Sequence, residues 1–356
     1  MSLLFTPLTL RGTTFRNRAW VSPMCQYSAG DGMPNDWHLV HLGSRAVGGA
    51  GLVLAEATAV TPEGRITPQD TGIWNDAQAH EWARIVRFIQ AQGVVAGIQL
   101  SHAGRKASTE RPWEGRGFVA EADGGWSTVG VSAVPYADWP APRELSVQEL
   151  ATLAGDFAEA AMRAEVAGFD VVELHVAHGY LLHQFLSPLT NKRTDQYGGD
   201  FEGRIRYPLE VVERVRTVWP DDRPLFVRLS ATDWAPGGWT VEESVEFSRR
   251  LKERGVDLVD VSSGGLVPEQ KIEVGPGYQV PFSAAIRREA GIPTGAVGLV
   301  TEPHQAEKVL EAGDADAVLL ARAELRDPYW PLHAADELGD HVTWPVQYDR
   351  ARPGPA

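Results

Sequence analysis

Short apolar runs rich in Val, Leu, Ile and Ala alternate along this chain with longer stretches in which apolar residues return every three or four positions. The first pattern fits strands buried on both faces, and the second fits helices laying one face on a core. Strands are predicted at 18–23, 52–59, 94–100, 170–175, 224–230, 257–262, 292–297 and 315–320, with helices at 36–47, 76–92, 147–167, 201–218, 241–254, 282–289 and 303–311. Local punctuation agrees. Gly93, Gly168, Gly255 and Gly313 each follow a helix and precede a strand, where glycine takes a left-handed C-cap at little steric cost. Asn75 and Ser146 stand at helix starts, the latter within a Ser146-Val-Gln-Glu149 capping box.

Eight strands separated by helices predict an α/β fold, a single (β/α)8 TIM barrel spanning 1–356. An open doubly wound sheet is the competitor, but the Gly-x-Gly-x-x-Gly turn expected after its first strand is missing. The stretch 109–143 breaks the rhythm, with Trp113, Trp126 and Trp139 among Gly and Pro. Because it follows the third strand it reads as a capping excursion over the barrel mouth, with a hydrophobic cluster beneath a long loop as the plainer account. The tail 340–356 lacks a helical pattern and reads as a C-terminal arm.

Side chains alternate faces along a strand. At 94–100 the face with Val94, Ala96, Ile98 and Leu100 is wholly apolar, and the other carries Val95, Gly97 and Gln99. Val172 and Leu174 oppose Val171, Glu173 and His175; Leu225, Val227 and Leu229 oppose Phe226 and Arg228; Val259 and Val261 oppose Asp260 and Ser262. The apolar faces are expected under the helices and the mixed faces inside the barrel. Gln99, His175, Arg228 and Ser262 then gather at strand C-terminal ends, where barrel enzymes place their chemistry. A buried arginine or glutamine is costly unless a partner meets it. The four can satisfy one another or line the site of a polar ligand; their convergence on one end favours the ligand.

Composition narrows the functional classes. Hydrophobic residues make up 43% and charged residues 22% of the 356, ordinary globular proportions that permit a large core. The formal net charge of −14 argues against a nucleic-acid partner, which needs an excess of Lys and Arg. No apolar window of membrane-spanning length is present, and the first residues lack the basic-then-apolar order of a signal peptide. A single cysteine, Cys25, excludes an intrachain disulfide framework and any iron–sulfur cluster needing several thiolates from one chain. The expected compartment is cytoplasmic, with no membrane partner.

His175-Val-Ala-His178-Gly-Tyr180 is the sharpest constellation. Two histidines three apart at a strand end can aim two N–H donors at one oxygen and stabilise charge developing there. Tyr180 adds a phenol able to protonate a carbanion. A metal site and plain core packing are the rival readings. No Cys or carboxylate stands at ligand spacing on the same loop, although Glu173 precedes it, and no metal is expected. Thr294-Gly-Ala-Val-Gly298 and Ala321-Arg322 end the seventh and eighth strands, where barrels often hold phosphate through backbone N–H groups. Glycine-rich turns are common, so it is the location that gives this signal weight. Ser22-Pro-Met-Cys-Gln-Tyr27 closes the first strand, and no thiolate-lowering neighbour marks Cys25 as a nucleophile.

Taken in order, these segments resemble the Old Yellow Enzyme family, in its thermophilic-like subclass. The resemblance is carried by Leu4-Phe-Thr-Pro-Leu8, Val21-Ser-Pro-Met-Cys-Gln-Tyr27, Gln99-Leu-Ser-His-Ala-Gly-Arg-Lys106 and His175-x-x-His178-Gly-Tyr180-Leu-Leu-His-Gln-Phe-Leu-Ser-Pro188. It continues through Asn191-x-Arg193-x-Asp195-x-Tyr197-Gly-Gly199, Val227-Arg-Leu-Ser230, Thr294-Gly-Ala-Val-Gly298 and Pro345-Val-Gln-Tyr-Asp-Arg350, and so covers essentially the whole chain. It implies an FMN-dependent ene-reductase (NADPH dehydrogenase) that takes electrons from NADPH or NADH. The substrates it implies are α,β-unsaturated carbonyl or nitro compounds, whose activated C=C bonds are reduced. By the same resemblance, Ser22, Pro23, Met24 and Cys25 hold FMN, with Ala57, Gln99 and Arg228 around its ring and Gly298, Ala321 and Arg322 near its phosphate. Cys25 would tune the flavin, and His175 and His178, helped by Tyr27, would bind the substrate oxygen. Tyr180 would supply the proton after hydride transfer from flavin N5. Arg350 would reach a neighbouring active site, which implies a homo-oligomer, dimer or tetramer. One position departs from the family pattern, which commonly has Gly before the phosphate arginine: Ala321 keeps the N–H and adds a methyl. A flavin-binding protein without alkene turnover, or another FMN-barrel reductase, is the alternative.

Overall fold

A computed structural model describes residues 1–115 and 117–352; Arg116, inside the excursion, and 353–356, at the end of the arm, lie outside the described residues. Eight parallel strands close into a barrel: β1 (Ala19–Val21), β2 (Leu52–Ala59), β3 (Val95–Ser101), β4 (Val171–Val176), β5 (Leu225–Ser230), β6 (Leu258–Ser262), β7 (Thr294–Ala296) and β8 (Ala317–Leu320). Each strand pairs with its neighbour in sequence, and β8 closes on β1 through Val318↔Ala19, Leu319↔Trp20 and Leu320↔Val21. Between the strands run α1 (Asp36–Val47), α2 (Asp76–Ala91), α3 (Val147–Ala167), α4 (Phe201–Val218), α5 (Val241–Glu253), α6 (Val280–Ala290) and α7 (Pro303–Glu311). The fold is the α/β TIM barrel that the alternation predicts.

Local chemistry sets these boundaries. Asn35, Asn75, Ser146 and Thr240 each close a capping box at a helix start, a device contributing about 1 kcal/mol. Gly93, Gly168, Gly255 and Gly313 all take positive φ, from 69° to 93°. The face-by-face reading of the strands holds as well. Ala96, Ile98, Leu100, Val172, Leu174, Val227, Leu229, Val259 and Val261 are buried in an outer core beneath the helices. Val95, Val171 and Phe226 belong instead to an inner core with Trp20, Leu54, Leu258 and Leu319. Two glycines make room for it: a Cβ would stand 2.5 Å from Leu54 at Gly97 and 2.3 Å from Leu319 at Gly295.

The lower, N-terminal end of the strands is sealed by a hairpin, Leu8–Leu10 paired with Thr13–Phe15. Phe15 stacks near Trp20 and Phe226, with ring centroids 4.5 and 6.2 Å away. Arg11, at the hairpin turn, donates to Asp257 and to the carbonyls of Asp221 and Gly255. The alternation does not show this hairpin, because its strands are only three residues long. It also misses helices Leu181–Leu186, Arg322–Arg326 and Trp330–Glu337. α6 begins earlier than predicted, at Val280, since proline is tolerated in a helix's first turn and Pro281 sits there. The tail, expected to lack helix, contains a 3-10 turn at Val346–Ala351.

The excursion after β3 is tied down at several points. Val129–Gly130 pairs with Arg143–Glu144. Trp126 packs on the Ala57, Ile66, Ala103 and Ala107 cluster that also carries Cys25, Tyr27 and Tyr180. Trp113 meets Tyr27 edge-on at 5.9 Å. Among the described residues no helix is long and apolar enough to cross a membrane.

Candidate active site

Above the apolar plug the inward face of the barrel turns polar. Gln99 on β3 donates from Nε2 to Glu173 Oε1 on β4 at 2.8 Å, and Arg228 Nε on β5 lies 3.1 Å from Asp260 Oδ2 on β6. Strand register does the grouping: Gln99 stands beside Glu173, and Arg228 stands between His175 and Asp260. All four polar residues are buried. Two carboxyls therefore share one arginine. Burial, then the charge of Asp260, raises the Glu173 carboxyl against the pull of Arg228. Burial raises Asp260 too, with Arg228 opposing. Of the pair, Glu173 keeps its proton.

A carboxyl that binds its proton more tightly folded than unfolded contributes stability that is complete below the ordinary carboxylate range. That stability drains away as pH rises through the raised value. Glu173→Gln keeps an acceptor for Gln99 and removes the titration. The variant's unfolding midpoint is expected to fall less than the wild type's between mildly acidic and mildly alkaline pH. Parallel midpoint curves would assign the pH dependence to other groups.

β4 delivers His175, and the chain then turns through His178 (φ 60°) and Gly179 (φ 76°) into the helix Leu181–Leu186. His175 Nδ1 accepts from the Ala177 N–H at 3.2 Å, which leaves the ring proton on Nε2. That Nε2 lies 3.4 Å from His178 Nδ1, and His178 Nε2 lies 2.8 Å from Ser262 Oγ. Ser262 Oγ also lies 3.3 Å from Gln279 Oε1, which takes a shorter 2.7 Å bond from Ser263; when the Ser262 hydroxyl turns instead to the nearer His178 Nε2, the ring proton of His178 sits on Nδ1. In that tautomer both histidines aim an N–H at one small space. Burial, reinforced by Arg228, pushes both well below the usual histidine value, so they stand as neutral donors.

Tyr180 stands edge-on to His175 with ring centroids 4.9 Å apart. Burial, then the nearby Cys25, holds its phenol well above the ordinary value. Behind the turn, the Gly179 N–H donates to His183 Nδ1 at 2.9 Å, and His183 Nε2 lies 3.0 Å from Asp233. The other Asp233 oxygen accepts from Ser187 and from the Trp239 N–H. The turn is thus fixed from below by a buried His–Asp pair.

Across the mouth, residues 22–27 leave β1. Ser22 is buried and its hydroxyl has no partner, whereas Pro23, Met24, Cys25 and Tyr27 are half-buried. Burial, then Asp70 and Glu56, pushes the Cys25 thiol up. Tyr27 is raised first by Cys25 and then by burial. Tyr27, Lys106, Tyr136, Trp139 and Tyr180 line a cavity of about 240 Å³.

At the far side, Gly298 has φ 127°, and a Cβ there would meet Gln279 Nε2 at 2.9 Å. Ala321 has φ −113°, so its methyl avoids the left-handed strain that would demand glycine. Arg322 is exposed and makes no hydrogen bond or ion pair among the described residues. Burial raises the Tyr278 phenol, and the nearby Arg322 and Arg228 oppose that rise. These features fit a mononucleotide flavin. A glycine-only turn beside an uncommitted arginine suits its phosphate. The Ser22 Oγ, buried without a hydrogen-bond partner, and the buried Arg228 guanidinium, whose Nε faces Asp260, suit its polar edges.

Arg350 is not brought to this mouth. It is exposed within Val346–Ala351, and the arm leading to it lies against Val47 and Gln92, at the opposite end of the barrel. Four residues here escape sequence reasoning: Lys106, Ser263, Gln279 and the Asp233 behind the turn. Their partners lie far along the chain or are backbone groups, and the one available signal was the position of Lys106 just past the end of β3. Among the described residues no group of three His, Cys, Asp or Glu is placed to hold a metal ion.

A family model described as the NADH:flavin oxidoreductase / NADH oxidase family matches residues 3–341. The chain is 50% identical over 352 residues to an NADPH dehydrogenase of Geobacillus thermodenitrificans, covering 98% of each. Among solved structures it is similar to morphinone reductase, with a TM-score of 0.80 at 29% identity, covering 96% of this chain and 91% of that one. It is also similar to 2-naphthoyl-CoA reductase in complex with 2-naphthoyl-CoA, with a TM-score of 0.86 at 25% identity. That match covers 95% of this chain but only about half, 52%, of the naphthoyl-CoA reductase chain.

Proposed function

Because this chain belongs to the NADH:flavin oxidoreductase / NADH oxidase family, the family of Old Yellow Enzyme, we propose that it reduces C=C bonds activated by a carbonyl or nitro group. It is an FMN-dependent NADPH oxidoreductase. When bound, FMN supplies the substrate with a hydride taken from the nicotinamide. The observation that carries the substrate class is the convergence of the His175 and His178 N–H groups on one space beside Tyr180.

In this reading Ser22, Pro23, Met24, Cys25, Ala57, Gln99 and Arg228 hold the flavin ring, and Gly298, Ala321 and Arg322 hold its phosphate. The Arg228 guanidinium favours an electron-rich ring edge. His175 Nε2–H and His178 Nδ1–H grip the carbonyl or nitro oxygen, with Tyr27 as a further donor. Preorganised donors of this kind stabilise the negative charge that grows on that oxygen as the double bond is reduced. Ser262 holds His178 in the tautomer that keeps a proton on Nδ1. Tyr180 gives its proton to the carbon α to the activating group. Trp139 and Tyr136 bound the cavity and limit it to small substrates.

The same reading gives Arg350 to a neighbouring subunit of a homo-oligomer. Supporting this, Trp37, Val40 and Phe88 expose apolar surface on α1 and α2.

A visible absorption spectrum followed through one cycle tests the function. Purified protein is expected to be yellow, to bleach under anaerobic NADPH, and to recover its colour on addition of an α,β-unsaturated ketone. Bleaching that no activated alkene reverses would leave a flavoprotein without alkene turnover. Colourless protein that FMN fails to load would remove the reading altogether.

A further inference from the structure

Lys106 ends the 3-10 turn Gly104–Lys106 that follows β3, and nothing in the mechanism above uses it. Its Nζ donates to two backbone carbonyls from different loops, His178 O and Gly265 O, each at 2.8 Å. Two aromatic faces complete the enclosure, with the Tyr136 ring centroid at 4.7 Å and that of Tyr180 at 5.4 Å. Among the described residues Lys106 makes no ion pair, so dipoles and π faces alone hold this cation. Burial, then the charge of Arg105, lowers it to about 7.

The two loops it joins meet backbone to backbone. A Cβ at Gly179 would stand 2.3 Å from Gly265 O, and a Cβ at Gly265 would stand 2.6 Å from His178 Cα. Bare peptide contact of this sort has little apolar surface to hold it closed. The neighbouring Arg105 extends the same clamp. It donates to Leu266 O at 2.6 Å and to Val134 O and Pro135 O on the excursion at 3.2 and 2.9 Å.

We propose that Lys106 is a positioning residue for alkene reduction, its ammonium stapling the turn that carries His178 and Tyr180 to the loop after β6 and, through Tyr136, to the excursion. The proposal rests on the assignment of His178 and Tyr180 as substrate-facing groups. Without the staple the two carbonyls repel across the glycine contact, and the histidine N–H and the phenol lose their shared aim. Flavin binding is untouched, because the clamp lies on the substrate side of the mouth.

The test compares wild type with Lys106→Ala and Lys106→Met, each with and without methylammonium, a probe matching the group the cage encloses. Amide hydrogen exchange over 177–182 is read alongside the separate rates of flavin reduction by NADPH and of alkene reduction. In Lys106→Ala we expect exchange to speed up and alkene reduction to slow, each by about tenfold or more, with flavin reduction nearly unchanged. Methylammonium is expected to reverse both changes saturably, and sodium is not. Lys106→Met, which fills the space without charge, is expected to show the same two changes and no rescue, because its side chain keeps methylammonium out.

A methionine variant as active as wild type would overturn the proposal, since packing alone would then suffice. So would unchanged exchange, an alanine variant that methylammonium fails to restore, or two variants that cannot be obtained folded. If wild-type protein reduced no activated alkene, the proposed function would fall, and the exchange readout would still decide the role of Lys106.

Discussion

Replacing Tyr180 by phenylalanine is expected to slow alkene reduction by about 10²- to 10⁴-fold, the usual range for a general acid, while flavin reduction by NADPH stays close to wild type. The substitution removes one oxygen and keeps the ring that stands edge-on to His175 and faces Lys106. Little else can change, so the loss reports on the proton. Burial, with Cys25 nearby, holds that proton on the phenol well above neutral pH, which makes Tyr180 a donor in its resting state. Stopped-flow measurement of the two half-reactions separates the cases. Equal slowing of both halves would show that Tyr180 shapes the site without donating.

The second large effect concerns Arg228. Arg228→Leu leaves Asp260 and Glu173 buried without the one cation that faces them among the described residues, and breaking one side of such a pair costs about 3–5 kcal/mol. The same change removes the guanidinium from the inner face, so the purified variant is expected to retain little FMN. Its instability should grow with pH, because the surviving carboxyls are tolerated while protonated and become costly once ionised. Adding Asp260→Asn should return much of the lost stability and none of the flavin. Thermal unfolding of flavin-free protein across pH, with flavin content by absorbance, checks both halves. Full flavin content in Arg228→Leu would remove the arginine from the ring site.

The parts of this molecule that sequence reading captured are those whose causes are local. α1, α3, α4 and α7 fall where periodicity and caps place them, since Asn35, Ser146 and Gly168 act on their own neighbours. The period of two along β3 to β6 sorted inward from outward side chains, and so brought Gln99, Glu173, His175, Arg228 and Asp260 together. What stayed hidden depends on distant partners. Leu181–Leu186 is buried on every side and shows no amphipathic period. His183 finds Asp233, and Lys106 finds Gly265, only once the barrel has closed. A lysine held by carbonyls leaves no mark in sequence, because every residue carries a carbonyl. Arg350 is a different case, as its assigned role needs a second chain.

The contacts made by the first residues have a consequence for the order of assembly. Ser2 is bonded to Asp340, Leu3 and Leu4 donate to Glu307, and Ala19, Trp20 and Val21 need strand partners at Val318, Leu319 and Leu320. A ribosome releases these residues well before their mates. Through most of translation Leu4, Phe5, Phe15 and Trp20 must therefore travel uncovered, a long exposure for greasy side chains and an unpaired edge. The earlier-made partner is the keystone set late, and the nascent chain is most vulnerable to aggregation in the interval before it drops into place.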